Sequence, residues 1–366
     1  MGHFRKNLLT VFVNEFCNMH CIYCPLHAQS TPRTSRVIDH DFVKCGIDDF
    51  FSQTDSRGIR IFGNGEPTLS FKLLKEMVEY AYLQAGDRLF IELQTNGYFP
   101  EEVAHWVSEH VDMLWLSLDG PESIQNRQRP TRTGRPSFPR IDHNIQIIRK
   151  SAKTTIGFRP TITDYSVDRQ EELIDYAKAN DVTAIYAYPW ASFVLDREGQ
   201  PDLMHFADKF IEAREYADKI GVYYGTIFMI NFDEEVEINC RALLPAPHLT
   251  TDGFVSCCDM SNTGDGFFSE LFPELIYGEY DKEAGKIHYY QDRIEKIRSR
   301  NIYNLETCRD CEALKHCAGG CIGSAMMTSG DFYGINPDYC KVTKYLFKRL
   351  PHLVNIGYNK DLPLHP

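Results

Sequence analysis

Three features of the sequence predict an α/β fold: a partial (βα)6 TIM-like barrel followed by a small, irregular C-terminal module. From Leu8 to about Gly225, short apolar runs alternate six times with amphipathic helical stretches, the pattern of a parallel sheet covered by helices. The length of 366 residues suits a barrel of about 200–250 residues plus a second module. The twelve cysteines are divided between the ends: three lie at 17–24, Cys45 stands alone, and the other eight follow residue 239. These features set the expected boundaries: a barrel over 1–230, the second module over 231–350 and a tail over 351–366.

The strands are expected at LLTVFV (8–13), IRIFG (59–63), LFIELQT (89–95), MLWLSLD (113–119), TTIGFRPTIT (154–163) and VTAIYAY (182–188). Between and after them the helical pattern falls near 40–53, 70–84, 100–109, 139–151, 168–179 and 202–220. Asp39, Ser70, Pro100 followed by Glu101 and Glu102, and Asp168 ahead of Glu171 and Glu172 provide start signals. Six units rather than eight predict a barrel open on one side. Polar, glycine-containing or cysteine-rich motifs follow the first four strands: Cys17–Cys24, Gly63–Pro67, Thr95–Gly97 and Ser117–Gly120. That placement matches the C-terminal rim where such sheets carry their chemistry. After residue 230 the alternation gives way to turns, glycines and cysteines, read as an irregular module held by metal.

Composition narrows the function. Hydrophobic residues make up 43% and charged residues 25%, as in an ordinary globular protein. A net charge of −12 argues against nucleic acid or an anionic membrane as the main partner. No run approaches a membrane span, and MGHFRKNLLTVFV lacks the features of a signal peptide. A cytoplasmic location is therefore expected, where cysteines serve as metal or redox ligands rather than disulfides.

Cys17, Cys21 and Cys24 place three soft thiolates on one short loop. They suit three irons of a cubane iron–sulfur cluster and leave its fourth iron free for a small molecule. The alternative is a zinc loop or buried thiols. Structural zinc takes four ligands, and only His20 and His27 are nearby candidates for the fourth.

The triad, with Tyr23 before its last cysteine, resembles the signature of the radical S-adenosylmethionine (SAM) superfamily. GNGEPTL (63–69) is similar to that family's Gly-Gly-Glu-Pro loop, with Asn64 in place of its first glycine. QTNG (94–97) and SLDGP (117–121) resemble motifs of the subgroup of anaerobic sulfatase-maturating and peptide-modifying enzymes. The resemblance implies SAM contacts from Tyr23, Gly65, Glu66, Pro67, Asn96, Ser117 and Arg129. Arg127 and Arg132 are alternatives to Arg129 in the same basic run. It further implies reductive cleavage of SAM to a 5′-deoxyadenosyl radical that abstracts a substrate hydrogen.

Cys308-x2-Cys311-x5-Cys317-x3-Cys321, with Cys240 and Gly253-x4-Cys258 before it and Cys340 after, is similar to the SPASM extension of these enzymes, which binds two auxiliary [4Fe–4S] clusters. On that resemblance Cys308, Cys311, Cys317 and Cys340 hold one cluster, and Cys240, Cys258 and Cys321 hold three sites of the other. The usual fourth cysteine is absent, Asp233, Glu234 and Glu235 standing in its stretch. Either an open iron or Cys257 completes the set. Taken alone, the cysteine block also fits a zinc ribbon.

Three clusters and SAM are thus the implied cofactors, with flavodoxin or ferredoxin as reductant. Asp259, directly after Cys258, is implied as the general base that deprotonates the substrate radical; a turn-capping aspartate is the plainer reading. The expected activity is oxidation or crosslinking of a peptide or protein side chain. The barrel begins almost at residue 8, so a leader-binding domain would have to be a separate protein. The alternatives are the same chemistry on a sugar or aminocyclitol, as dehydrogenase or epimerase, and a non-catalytic iron–sulfur or zinc scaffold. YPWASF (188–193) offers rim aromatics for substrate or for packing, and Cys45 reads as a buried thiol.

Overall fold

The computed structural model describes residues 8–24, 35–190, 198–265 and 267–350. His27, the ASF end of YPWASF and the expected tail lie outside these residues. Within them, each predicted apolar run contains a strand: β1 (Leu9–Phe12), β2 (Gly58–Phe62), β3 (Phe90–Thr95), β4 (Met113–Leu116), β5 (Thr155–Phe158), the short β6 (Thr161–Ile162) and β7 (Ala184–Pro189). β8 (Tyr223–Thr226) was not expected. β1–β2–β3–β4–β5–β7–β8 run parallel in that spatial order. The TTIGFRPTIT run breaks in two because Pro160 has no N–H to give a ladder, and β6 pairs the far end of β7.

The helices α1 (His40–Gln53), α2 (Phe71–Ala85), α3 (Glu101–His110), α4 (Glu122–Gln128), α5 (Phe138–Ile148), α6 (Gln170–Ala179) and α7 (Leu203–Ile220) follow the strands. Asp39 caps α1, its carboxylate accepting from the N–H groups of Asp41 and Phe42 at 2.9 and 3.2 Å. Asp202 caps α7 in the same way, which satisfies amides that the first helical turn leaves without partners.

Alternation along each strand sorts the side chains. Ile59, Ile61, Ile91, Leu93, Leu114 and Leu116 join the large apolar core beneath the helices. The opposite face lines the barrel interior, where Met113, Trp115, Ala184, Tyr186 and Tyr223 form a separate plug. Gly157 makes room for it, since a Cβ there would lie 2.4 Å from the Trp115 ring.

The open side of the barrel is not left bare. β1 also pairs in parallel with β9 (His248–Leu249), and β10 (Phe254–Ser256), β11 (Ile276–Asp281) and β12 (Lys286–Tyr289) continue outward as an antiparallel ladder. The C-terminal module is therefore less irregular than its sequence suggests: it extends the barrel sheet on the β1 edge. Cys45 on α1 faces this ladder, its thiol 3.6 Å from the Gly285 carbonyl and partly exposed, not buried.

Candidate active site

The cysteine loop after β1 is stitched to the basic run that follows α4. His20 donates to the Pro130 carbonyl at 2.8 Å, Ile22 to Gln128 at 3.0 Å, and Arg132 donates back to Asn18 at 2.9 Å. The run RQRPTR thus serves through its backbone, fixing the loop independently of its thiols. Burial pushes the Cys17 thiol up to about 11 and Cys21 up to about 12. Free, these thiols keep their protons at neutral pH; a metal that binds thiolate displaces them.

Gly65 and Glu66 lock the second loop to the first. Gly65 donates to Asn14 O at 3.0 Å and Glu66 to Phe16 O at 2.8 Å. A Cβ on Gly65 would fall 2.0 Å from the Phe16 carbonyl oxygen. The approach is backbone to backbone and has no slack. Gly65→Ala is expected to cost about 1–3 kcal/mol through overpacking and to weaken SAM binding, read by thermal unfolding and by SAM titration.

The Glu66 carboxylate is buried and already committed. Its Oε1 accepts from Thr68 N at 3.1 Å, Thr68 Oγ1 at 2.6 Å and Thr95 Oγ1 at 2.6 Å, and its Oε2 from Asn96 N at 2.7 Å. It acts as a brace between the loops after β2 and β3. Pro67 opens a single 3-10 turn behind it. Asn96 turns toward the triad, donating to Asn18 Oδ1 at 2.8 Å and lying 3.7 Å from Cys17 Sγ.

Asp119, which the sequence reading passed over in SLDGP, is the hub of the next loop. It accepts from the Tyr23 hydroxyl, from Arg129 Nε at 3.0 Å, from Gln128 Nε2 at 2.8 Å and from Thr161 N at 2.8 Å. Arg129 is buried, and its guanidinium lies 5.1 Å from the centre of the Tyr23 ring. Arg127 instead stacks on Tyr165 at 3.9 Å, and Arg132 is exposed. Ser117 sits at the end of β4 with its N–H on the Thr95 carbonyl.

Below these loops lies a charged layer that the sequence reading missed. Arg60 of β2, wholly buried, holds Asp259 with Nη1 at 2.8 and 3.0 Å and Nη2 at 3.0 Å, and its Nε lies 3.2 Å from Glu92 of β3. Gln94 accepts from Arg60 at 3.3 Å and from Arg159 at 2.9 Å, while Arg159 also reaches the Tyr188 hydroxyl. His248 Nε2 stands 3.1 Å from Asp259 Oδ1, with Nδ1 at 2.8 Å from the Ala246 carbonyl. A carbonyl only accepts, so the Ala246 contact places a hydrogen on Nδ1, while burial pushes the His248 imidazole below its usual range. Burial pushes the Asp259 carboxyl up, but Arg60 and His248 outweigh it and hold it well below the usual carboxylate range. A charged residue in an otherwise apolar strand, as in IRIF and LFIEL, was the available signal.

In the second module Cys308, Cys311, Cys317 and Cys340 line one cavity, together with Gly319, Tyr339 and Lys344. Cys240, Cys258 and Cys321 form the other group; burial raises all three thiols, and the charges of Cys240 and Cys258 each couple to that of Cys321. Cys257 is 1% exposed and adjoins Cys240 electrostatically. Glu235 is turned away to Lys315 at 3.1 Å. Among the described residues no three Cys, His, Asp or Glu side chains draw together as a single ion requires. Four cysteines lining one cavity are a donor set that suits a [4Fe–4S] cluster as well as tetrahedral zinc.

The profile of the Radical SAM superfamily matches residues 11–181. The chain is 21% identical to the cysteine-type anaerobic sulfatase-maturating enzyme of Clostridium perfringens, over 96% of this chain and 98% of that one. It is also 21% identical to the serine-type enzyme of Bacteroides thetaiotaomicron, over 84% and 80%. Among solved structures, native anSMEcpe with bound AdoMet and Cp18Cys peptide superposes with a TM-score of 0.70 at 18% identity, covering 96% of this chain and 99% of that one. Streptococcus suis SuiB bound to its precursor peptide SuiA superposes at 0.63 with 15% identity, over 93% and 76%. These likenesses bear out the predicted α/β architecture.

Proposed function

We propose, from the match of residues 11–181 to the Radical SAM superfamily, that this chain is a radical SAM oxidoreductase that modifies a peptide or protein side chain. One observation carries the reading. The cysteine pair of the second module delivers Asp259 to Arg60 of the barrel interior, at 2.8 Å, so an auxiliary-cluster ligand, Cys258, adjoins a carboxylate on the floor of the radical site. The relatives named as sulfatase-maturating enzymes and the neighbours solved with peptides support a peptide substrate.

In this reading Cys17, Cys21 and Cys24 hold the SAM-binding [4Fe–4S] cluster. Cys308, Cys311, Cys317 and Cys340 hold one auxiliary cluster, and Cys240, Cys258 and Cys321 hold the other. When bound, cluster and SAM supply the electron and the 5′-deoxyadenosyl radical that removes a substrate hydrogen. The chain's own residues position and shield. Gly65 lets the loops after β1 and β2 touch, Glu66 braces the loop after β3, and the Tyr23–Asp119–Arg129 group closes the side against β6. Ser117 and Arg129 border the SAM site, and Asp259 takes the substrate proton, poised as a carboxylate by Arg60. A flavodoxin or ferredoxin supplies electrons. Among the described residues no helix is long and apolar enough to cross a membrane.

The test is to incubate the anaerobically reconstituted chain with SAM, dithionite and short peptides bearing cysteine or serine. One 5′-deoxyadenosine for every two hydrogens lost from the peptide, one abstracted as an atom and one lost as a proton with an electron, is expected. 5′-Deoxyadenosine that forms at the same rate with every peptide, all left unchanged, would move the reading to small-molecule substrates.

A further inference from the structure

Arg300 lies just after Gln291–Ser299, eight residues before Cys308 and in none of the motifs, yet it is wholly buried, near cysteines of both groups of the second module. Its Nη1 donates to the Phe332 carbonyl at 2.6 Å and its Nη2 to Gly319 at 3.2 Å. Gly319 is the midpoint of the Cys317–Cys321 link, two residues from a ligand of each cluster. A Cβ on Gly319 would come within 3.3 Å of the same nitrogen. The Nε has no partner, and among the described residues no carboxylate forms an ion pair with the guanidinium. Burial works against its charge, and Cys321, Cys308, Cys240 and, last, Asp331 are the groups whose negative charge favours its cationic form. A buried cation with only neutral partners is costly, unless an anion occupies the adjoining space.

We propose that Arg300 sets the reduction potentials of both auxiliary clusters, as a single cation shared between them; the proposal rests on reading the two cysteine groups as [4Fe–4S] sites. Each cluster becomes more negative by one charge when it takes up an electron. A fixed positive charge nearby stabilises that reduced form and raises the potential of each site. Arg300 thereby keeps both clusters able to accept an electron from a substrate radical. It is a positioning residue for charge and does not touch the substrate.

The experiment is a potentiometric titration followed by electron paramagnetic resonance. It uses the full chain carrying Cys17→Ala, Cys21→Ala and Cys24→Ala, so that only the auxiliary sites hold iron. Arg300→Gln is expected to lower the equilibrium constant for reduction about tenfold, or about 59 mV for one electron, while Arg300→Lys stays close to the parent. Unchanged midpoints in Arg300→Gln with iron retained would overturn the proposal. If Arg300→Gln loses its iron, Arg300→Lys decides. Retained iron and parental midpoints support the charge role; loss of iron there too would reduce Arg300 to a clasp on Gly319 and Phe332. A parent chain without iron at these cysteines would instead overturn the cluster reading itself, and its iron assay separates that failure from the other.

Discussion

Cys21→Ala is expected to bring 5′-deoxyadenosine formation to background and to lower iron by about four atoms per chain. The triad supplies three ligands, so losing one leaves two, too few to retain a cluster that must also keep one iron open. The thiol itself contributes little to the fold. The loop is held by backbone bonds from His20, Ile22 and Arg132 to residues 128–130 and Asn18, none of which involves the Cys21 side chain. The variant should therefore express and keep the remaining irons. Cys308→Ala is the matching control: it opens the cavity shared with Cys311, Cys317 and Cys340, costs about four irons, and leaves SAM cleavage in place while product disappears. Iron and 5′-deoxyadenosine assayed on the same samples separate the two. Equal loss of SAM cleavage in both variants would contradict independent roles for the two modules.

What was legible in the sequence was local. Six strands and six helices follow from apolar runs and caps a few residues apart, and their loops mark the rim because each motif directly follows its strand. β8 escaped because it is four residues long and contains Gly225, whose missing Cβ accommodates the Tyr223 and Tyr186 rings. β9 escaped for a different reason. It has two residues, and its partner β1 lies some 240 positions upstream, so no window along the chain contains the pattern. The same distance hid the chemistry of the interior. Asp259 was found as a neighbour of Cys258, but its partners Arg60 and His248 come from β2 and β9. Asp119 sat inside a motif already noted, yet only the fold shows that it gathers Tyr23, Gln128 and Arg129. Glu66 was expected to contact SAM; what the sequence did not show is that its carboxylate also braces Thr68, Thr95 and Asn96.

The Arg60 network separates stability from chemistry. Arg60→Met removes the cation between two acids and leaves Glu92, wholly buried, without its ion-pair partner, Arg241 and Arg159 acting on it only at longer range. Breaking a buried pair from one side costs about 3–5 kcal/mol, which for a chain of this length lowers the thermal midpoint by roughly 5 °C. Burial already pushes the Glu92 carboxyl up, and loss of Arg60 pushes it further the same way. Adding Glu92→Gln to Arg60→Met removes that acid and should restore most of the lost stability. It cannot restore the grip on Asp259, whose three contacts to Arg60 fix both its oxygens and its ionised state. The double variant is therefore expected to melt near the parent, to cleave SAM normally, and to form product as poorly as Asp259→Asn. For a lost general base that deficit is about 10²–10⁴-fold. If the double variant regained product along with stability, Asp259 would be a structural counter-ion to Arg60, and the proton would have to leave by another group.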